Sequence, residues 1–496
     1  MFFQSYGFIF LFLPALLGGL ALATRFGATR RHVTGMLIVA SLIFYGQLSP
    51  RSLPFLLLSY AANFLFCHLV QTAKASGTPG LFGRTPGFFA GVGVTFHIAA
   101  LVVFKCSTEL GWSHFPIGAS FVTFIHIMLL VEILNGTLDR IDATEHLLVS
   151  TFFPYVTSGP LVGGSEIVSQ VRTGETTDPP RFERVVAGAM LFAIGLFKKL
   201  LVADSLGPYA SRVFDIAQSG RAMTSHDAWC GSLAYMFQLY FDFSGYSDMA
   251  VAIGYMVGIK LPLNFNSPFK ATTVLEYWQR WHMTLTRFIT QYLYLPIAIK
   301  ATRWADDRGI ESESLRFVLT VLVPTIVAFA IAGVWHGNGW TFALYGLYWG
   351  AALSVFHTWK RAFDTRLPRP VAWLLTMLTA LGSLVIFRSE SVAASARIMK
   401  AAFSPSAASA ESVASSPLPA GFAFILAAIG AAVVILPNSQ QILHRYAVSR
   451  DDVEPHAGLS WLAWRPTTVG AIGLAVVLTV SLLMASGPQQ FLYYKF

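Results

Sequence analysis

The sequence predicts an all-α, polytopic integral membrane protein. Hydrophobic residues make up 55% of the 496 residues, and charged residues make up only 12%, about half of what a soluble domain carries. The apolar residues are grouped in blocks, and a helix needs about 20 of them to cross a bilayer. We therefore expect about eleven spanning helices, with re-entrant or interfacial helices between them, in a single membrane-embedded domain covering residues 1–496.

The apolar blocks define the candidate spans. In chain order they are 7–24, 34–48, 52–71, 86–104, 115–134, 184–203, 229–257, 316–335, 339–358, 371–387, 420–436 and 467–485. The stretches 160–183 and 258–315 are not apolar enough to span, so we expect them to fold against the membrane core or lie at its surface. The Ala/Ser/Pro-rich stretch 402–418 is typical of a flexible loop.

The positive charge indicates topology and not nucleic-acid binding. The formal net charge is +9, but lysine and arginine occur in short clusters between apolar blocks, as in cytoplasmic loops. The first loop contains Arg25, Arg30 and Arg31, whereas the first six residues carry no charged side chain. We expect membrane lipid as a partner, no nucleic acid, and an N-terminus outside the cytoplasm. The first apolar block lacks a charged n-region, so we interpret it as a retained span.

The three cysteines, Cys67, Cys106 and Cys230, lie far apart in apolar surroundings. No Cys/His spacing suited to a metal is present, so neither a zinc site nor a disulfide framework is expected.

An ionisable residue ends one strongly apolar block. The segment "VWHGNGWTF" (334–342) contains His336, and an ionisable side chain at membrane depth is costly enough to suggest a function. Gly333, Gly337 and Gly339 leave room for a substrate chain to approach. The alternative is a histidine that caps a helix carbonyl in a tightly packed bundle.

A second histidine, His282, lies in the amphipathic segment "LEYWQRWHMTLTRFITQYLYLPI" (275–297). Several neighbours suit a membrane interface, either as aromatic anchors or as snorkelling arginines: Trp278, Arg280, Trp281, Arg287, Tyr292 and Tyr294. The alternative to a functional His282 is an interfacial helix with a hydrogen-bonded histidine.

Carboxylates also interrupt the apolar segment 239–258. Asp242, Ser244 and Asp248 are candidates for chemistry, although capping of a helix end by Asp and Ser explains them equally well. Six residues along a helix turn about 600°, so the two carboxylates face opposite sides unless the helix breaks at Gly245.

Several motifs occur together in one order along residues 115–442. They are "FPIGASFVTF", "FFPYVTSGPLV", "GLFKKLLVAD", "YFDFSGYSDMAVAIG", "LPLNFNSPF", "RWHMTLTRFITQYLYLPI", "GVWHGNGWTFALYGLYWG", "FR" at 387–388 and "LPNSQQI". This set resembles the membrane-bound O-acyltransferase (MBOAT) family, in the branch of the bacterial alginate-type polysaccharide O-acetylases and the teichoic acid D-alanyl transferases. The remaining spans agree with the family only in hydropathy.

The resemblance implies a helical bundle with a central tunnel and assigns catalytic roles to His336 and His282. No cofactor is implied; the acyl donor is a cytoplasmic thioester, either acetyl-CoA or an acyl group on a carrier protein. We expect His336 to act as the base, because acyl transfer to a hydroxyl needs one. Asn338, the Trp335 indole or backbone N–H groups are candidate oxyanion donors. Asp242, Ser244 and Trp281 complete the candidate substrate contacts.

The leading hypothesis is O-acetylation of an exported or cell-surface polysaccharide at a bacterial inner membrane, with an SGNH-type acetyltransferase outside as partner. The alternatives are D-alanyl or other acyl transfer to a cell-wall polymer or lipid, and a transporter. A transporter is disfavoured because no internal repeat is visible. One departure from the alginate-type proteins is that Thr290 and Gln291 occupy the place of their Arg-Asp pair.

Overall fold

A computed structural model shows the chain to be helical. It describes residues 1–75, 84–106, 116–174, 182–363, 367–404, 418–419 and 421–484, and among these there is no β-strand. Most of the predicted loop 402–418, residues 405–417, lies outside the described residues, and its first two residues belong to a helix.

The helices follow the apolar blocks closely. In chain order they are α1 (Leu13–Arg25), α2 (Arg30–Leu48), α3 (Leu53–Ala75), α4 (Pro86–Lys105), α5 (Ala119–Asn135), α6 (Ala143–Thr151), α7 (Gly164–Thr173), α8 (Phe182–Phe197), α9 (Asp204–Gln218), α10 (Ser225–Val257), α11 (Val274–Arg280), α12 (Met283–Phe288), α13 (Leu295–Asp307), α14 (Glu313–Phe317), α15 (Val323–His336), α16 (Trp340–Ala362), α17 (Arg369–Arg388), α18 (Val392–Phe403), α19 (Phe422–Ile435), α20 (Ser439–Ile442) and α21 (Thr468–Leu483).

Short π-helical segments join some of these helices into longer ones; Lys198–Ala203, for example, connects α8 to α9. Within the described residues, six continuous helices are long and apolar enough to cross a membrane: Phe8–Arg25, Pro50–Ala75, Pro86–Lys105, Phe182–Gln218, Glu313–His336 and Arg369–Arg388. Shorter apolar helices accompany them. The predicted fold class, an all-α polytopic membrane protein, is therefore confirmed, while the number of about eleven spans stays a prediction.

The described residues divide into two compact units. One comprises Met1–Phe197, Gly245–Leu263 and the described residues from Ser439 onward; the other comprises Lys198–Ser244 and Asn264–Asn438. We call them the first and the second unit.

The first unit has a polar network in its core that sequence reasoning missed. Asn63 on α3 contacts His97 Nε2 at 3.1 Å and His146 Nε2 at 2.9 Å. His126 on α5 contacts Ser150 Oγ at 3.1 Å through its own Nε2. All of these side chains are buried. The network joins α3, α4, α5 and α6. Each imidazole has a polar partner, so none of these buried rings is left unsatisfied.

In the second unit, α15 packs closely against α16. A Cβ on Gly333 would collide with the Phe342 carbonyl oxygen, and a Cβ on Gly346 would collide with the Phe329 carbonyl oxygen. Both obstacles are backbone atoms, so a side chain at either position would force the helices apart. Small residues that let backbones approach are typical of packed membrane helices, and here they determine the position of His336 at the end of α15.

Candidate active site

His336 is the last residue of α15 and is 7% exposed. Its ring centroid lies 5.0 Å from that of Phe387, edge to face, and 5.8 Å from that of Tyr345, also edge to face. Phe387 comes from α17 and Tyr345 from α16, so three helices of the second unit hold the imidazole. The two candidate oxyanion donors beside it differ in exposure: Trp335 is half-buried, and Asn338 is exposed.

The amphipathic segment around His282 is not one interfacial helix. It is broken between α11 and α12, where His282 has φ 43° and ψ 51°, in the left-handed region. Trp278 and Trp281 are 4% and 6% exposed, so the prediction that they anchor the protein at the membrane interface is wrong. The apolar indoles are instead used for packing inside the unit. Arg280 pairs with Glu276 at 3.0 Å.

Asn264 holds the His282 ring. Its Oδ1 lies 3.3 Å from His282 Nδ1 and also accepts a hydrogen bond of 2.6 Å from Thr284 Oγ1. Since an amide oxygen only accepts, Nδ1 carries the proton, and Nε2 is then the basic nitrogen. The ring is also packed edge to face on Phe243, with centroids 4.6 Å apart. Burial lowers the pKa of His282 to about 3, so the imidazole is neutral near pH 7.

A row of aromatic rings links the two histidines. Trp281, next to His282, stacks on Tyr277 with ring centroids 5.6 Å apart, and Tyr277 also stacks on Trp349 at 5.5 Å. Trp349 lies one helical turn from Tyr345 on α16, and Tyr345 contacts the His336 ring. The structure therefore places both motif histidines, with the candidate Trp281, around one aromatic core in the second unit.

Asp242 and Ser244 are buried within α10, each 1% exposed. The proposal that Asp242 or Asp248 caps a helix end is wrong, because α10 runs without a break from Ser225 to Val257. Asp242 forms an ion pair of 2.6 Å with Lys199, whose Nζ also contacts Asp204 at 2.6 Å. Asp248 instead accepts hydrogen bonds from Ser439 and Gln440 in the first unit.

Ser244 and the pair Thr290–Gln291, which replaces the Arg-Asp pair of the alginate-type proteins, lie in contrasting environments. Ser244 Oγ is fully buried and has no hydrogen-bond partner, so a bound molecule or water is the natural partner for it. Thr290 and Gln291 are exposed, and Thr290 Oγ1 donates to the Thr286 carbonyl within its own helix at 2.8 Å.

Sequence reasoning missed two further residues of the second unit. Tyr235 on α10 is fully buried, and Arg388 is the last residue of α17, directly after Phe387. The Arg388 guanidinium carbon lies 5.9 Å from the centre of the Tyr235 ring. The family-like pair "FR" at 387–388 was a usable signal for Arg388. No local pattern distinguishes Tyr235 from the other aromatic residues of its span.

Comparison with known proteins identifies the family of the chain. Residues 119–395 match the model of the membrane-bound O-acyltransferase family, MBOAT. The chain is 32% identical to a peptidoglycan O-acetyltransferase from Helicobacter pylori over 429 residues, covering 79% of this chain and 78% of that protein. It is 30% identical to a probable alginate O-acetylase from Azotobacter vinelandii, with 82% and 78% covered.

A teichoic acid D-alanyltransferase from Bacillus subtilis is also similar, at 28% identity, with 49% of this chain and 60% of that protein covered. The family model spans both His282 and His336. The chain therefore belongs to the membrane-bound O-acyltransferase family and is a multi-pass membrane O-acyltransferase.

Proposed function

We propose that the protein moves an acetyl group from a cytoplasmic thioester donor across the membrane for O-acetylation of an exported or cell-surface polysaccharide, with His336 as the general base. The observation that carries this proposal is a buried imidazole at the junction of α15, α16 and α17, in the region that matches the acyltransferase family. Relatives that act on peptidoglycan and alginate support a polysaccharide acceptor.

The chemistry at His336 follows from acyl transfer. The acceptor hydroxyl loses its proton to the imidazole while its oxygen attacks the thioester carbonyl carbon. When the intermediate collapses, the C–S bond breaks and the thiolate takes the proton from the imidazolium. General-base assistance of this kind contributes about 10²–10⁴-fold to the rate. The donor is acetyl-CoA or an acyl group on a carrier protein, and no bound cofactor or metal is required.

His282 has a second role in this proposal: it positions the donor on the cytoplasmic side. Its neutral ring is fixed by Asn264 and Phe243, so the ring has a defined orientation in the site. Trp281 supplies an apolar wall beside it. Asp242 acts indirectly, through its ion pair with Lys199.

The same proposal places the protein in a bacterial inner membrane with its N-terminus outside. An SGNH-type acetyltransferase outside the membrane then completes delivery to the polymer. The similarity to a D-alanyltransferase favours one alternative, transfer of a D-alanyl group to a cell-wall polymer. A neighbouring carrier-protein gene supports that alternative, whereas neighbouring polysaccharide synthase and SGNH-type genes support acetylation.

The decisive experiment replaces His336 by alanine and measures the acyl content of the exported polymer. We expect loss of at least about 10²-fold in activity, because the base is removed. His357→Ala is the matched control, since His357 is a half-buried histidine on α16 with no place in the site. Normal acetylation in the His336→Ala strain, with the protein found in the membrane fraction, would show that His336 is not the base.

His282→Gln tests the second histidine in the same assay. Glutamine retains a polar group of similar reach but has no basic ring nitrogen, so we expect a reduced rate with unchanged membrane insertion. Full activity in this variant would reduce His282 to a structural residue.

A further inference from the structure

Arg388 is a cation without an acidic partner. Among the residues that the structure describes it makes no hydrogen bond or ion pair, and its guanidinium instead faces the rings of Phe214 and Tyr235, at 5.5 and 5.9 Å. Lys199, a buried cation of the same unit, is by contrast balanced by Asp204 and Asp242. A half-buried guanidinium over aromatic rings keeps its charge, while its N–H donors remain available to a ligand.

Tyr235 adds a buried donor at the same place. Its side chain is fully buried, and its Oη has no hydrogen-bond partner. Leaving a buried hydroxyl unsatisfied costs about 1–3 kcal/mol, so such a group in a well-packed bundle indicates a ligand that completes it.

Both groups connect to the surroundings of His336 through Phe387. Arg388 follows Phe387, whose ring is 5.0 Å from the His336 ring. The Tyr235 ring faces the Arg388 guanidinium at 5.9 Å, and Tyr345 contacts both the His336 and the Phe387 rings. The cation, the hydroxyl and the imidazole therefore belong to adjoining groups of packed side chains in the second unit.

We propose that Arg388 and Tyr235 form the subsite that binds the carbonyl oxygen of the acyl group and stabilises the oxyanion that develops there. This inference rests on the proposed function, because it assumes acyl transfer at His336. The exposed Asn338, favoured by the sequence as an oxyanion donor, is less suited to the task than a buried hydroxyl beside an unpaired guanidinium.

The electron balance is simple. As the acceptor oxygen bonds to the carbonyl carbon, the C=O π electrons move to the carbonyl oxygen, and its negative charge is met by the Tyr235 O–H and the Arg388 guanidinium. Both donors are in place before the reaction, so they strengthen their hydrogen bonds in the transition state without reorganising. When the C–S bond breaks, the C=O bond re-forms and the charge leaves with the thiolate, which His336 protonates.

The test measures kcat and KM for the acceptor in membranes containing Tyr235→Phe, Arg388→Lys or Arg388→Gln. Removing one oxyanion donor typically lowers kcat about 10²–10³-fold. We expect a loss of this order in Tyr235→Phe and Arg388→Gln, a smaller loss in Arg388→Lys, and less than about a threefold change in KM. Tyr235→Phe should also unfold at the same temperature as the wild type or higher, because it removes only an unsatisfied oxygen.

Two matched variants serve as controls. Tyr348→Phe removes a hydroxyl from α16 that already donates to the Thr379 carbonyl at 3.1 Å. Arg361→Gln removes an arginine that lies 4.8 Å from the Phe317 ring and pairs with Glu313. Neither contacts the His336 region, so both should keep the wild-type kcat.

Other outcomes overturn the proposal in distinguishable ways. If Arg388 binds an anionic group of the acceptor, KM for that acceptor rises while kcat and the reaction of a neutral acceptor stay unchanged. If Tyr235 and Arg388 are only structural, their variants unfold at a lower temperature, while the activity per folded molecule stays unchanged. If the wild type itself transfers no acyl group to a polysaccharide, the proposed function fails before the variants are compared.

Discussion

At the scale of single residues, His282 combines an unusual backbone conformation with a buried ring. A non-glycine residue at φ 43° pays a steric cost of about 1–2 kcal/mol, because its Cβ approaches the following carbonyl oxygen. The surrounding contacts maintain this conformation: Met283 N donates to the Asn264 carbonyl at 2.9 Å, and Thr286 N donates to the His282 carbonyl at 3.0 Å. Such local strain is often found where a side chain must point in one functional direction.

This strain predicts how two substitutions at position 282 differ. Glycine adopts positive φ without penalty and alanine does not, so His282→Gly should be more stable than His282→Ala by about 1 kcal/mol. Thermal unfolding of the two variants in detergent measures the difference. The same pair of changes at His357, within the right-handed helix α16, should give the reverse order, because alanine is the better helix former. Equal stability of the two His282 variants would contradict a strained backbone.

At the scale of the elements, the contact between α15 and α16 controls where His336 lies. Gly346→Ala should lower both stability and activity, because its Cβ would meet the backbone at Phe329 and push α15 away. Overpacking of this kind typically costs about 1–3 kcal/mol. A lower rate in the acyl-transfer assay together with a lower unfolding temperature would report the displacement of α15.

Gly35→Ala on α2 is the control for that change, since a Cβ at Gly35 would meet no atom within 4 Å. This variant should be as stable as the wild type or slightly more so, because alanine favours a helix. Wild-type activity in Gly346→Ala would mean that the helix pair tolerates a wider separation than the glycines suggest.

Element by element, hydropathy predicted the long helices well and the polar segments poorly. The block 229–257 corresponds to α10, and 371–387 corresponds to α17, each within four residues at either end, because burial in lipid requires long apolar runs. The segment 275–297 has an amphipathic pattern typical of one interfacial helix, but the left-handed His282 breaks it and tertiary contacts bury its indoles.

The candidate site was also predictable only in part, because tertiary contacts are not visible in a local sequence pattern. His336 and His282 stand out in the sequence because ionisable residues are rare in apolar segments. Lys199 and Tyr235 do not, because their significance depends on residues that are distant in the chain: Lys199 pairs with Asp242, and Tyr235 lies beside Arg388. Periodicity carries no information about such contacts.

At the scale of the whole molecule, the arginine clusters predict which ends of the helices face the cytoplasm. The last turn of α16 contains Lys360 and Arg361, and α17 begins at Arg369, so the positive-inside rule places these two helix ends inside. The 20 residues of α17, one of the six candidate spans, extend about 30 Å, the thickness of a hydrocarbon core, and Phe387 at the far end of α17 contacts the His336 ring. The loop 337–339 beside His336 should then lie towards the outside, where an exported acceptor arrives.

Cysteine labelling in intact cells tests this orientation. In a background lacking Cys67, Cys106 and Cys230, single cysteines are introduced at the exposed positions Asn338 and Phe363. A membrane-impermeant maleimide added outside should label Asn338→Cys and leave Phe363→Cys unlabelled until the membrane is permeabilised. The reverse pattern would place the loop beside His336 in the cytoplasm. In that case the acceptor hydroxyl would have to meet the base from the cytoplasmic side, and transfer to an exported polymer would need a separate export step.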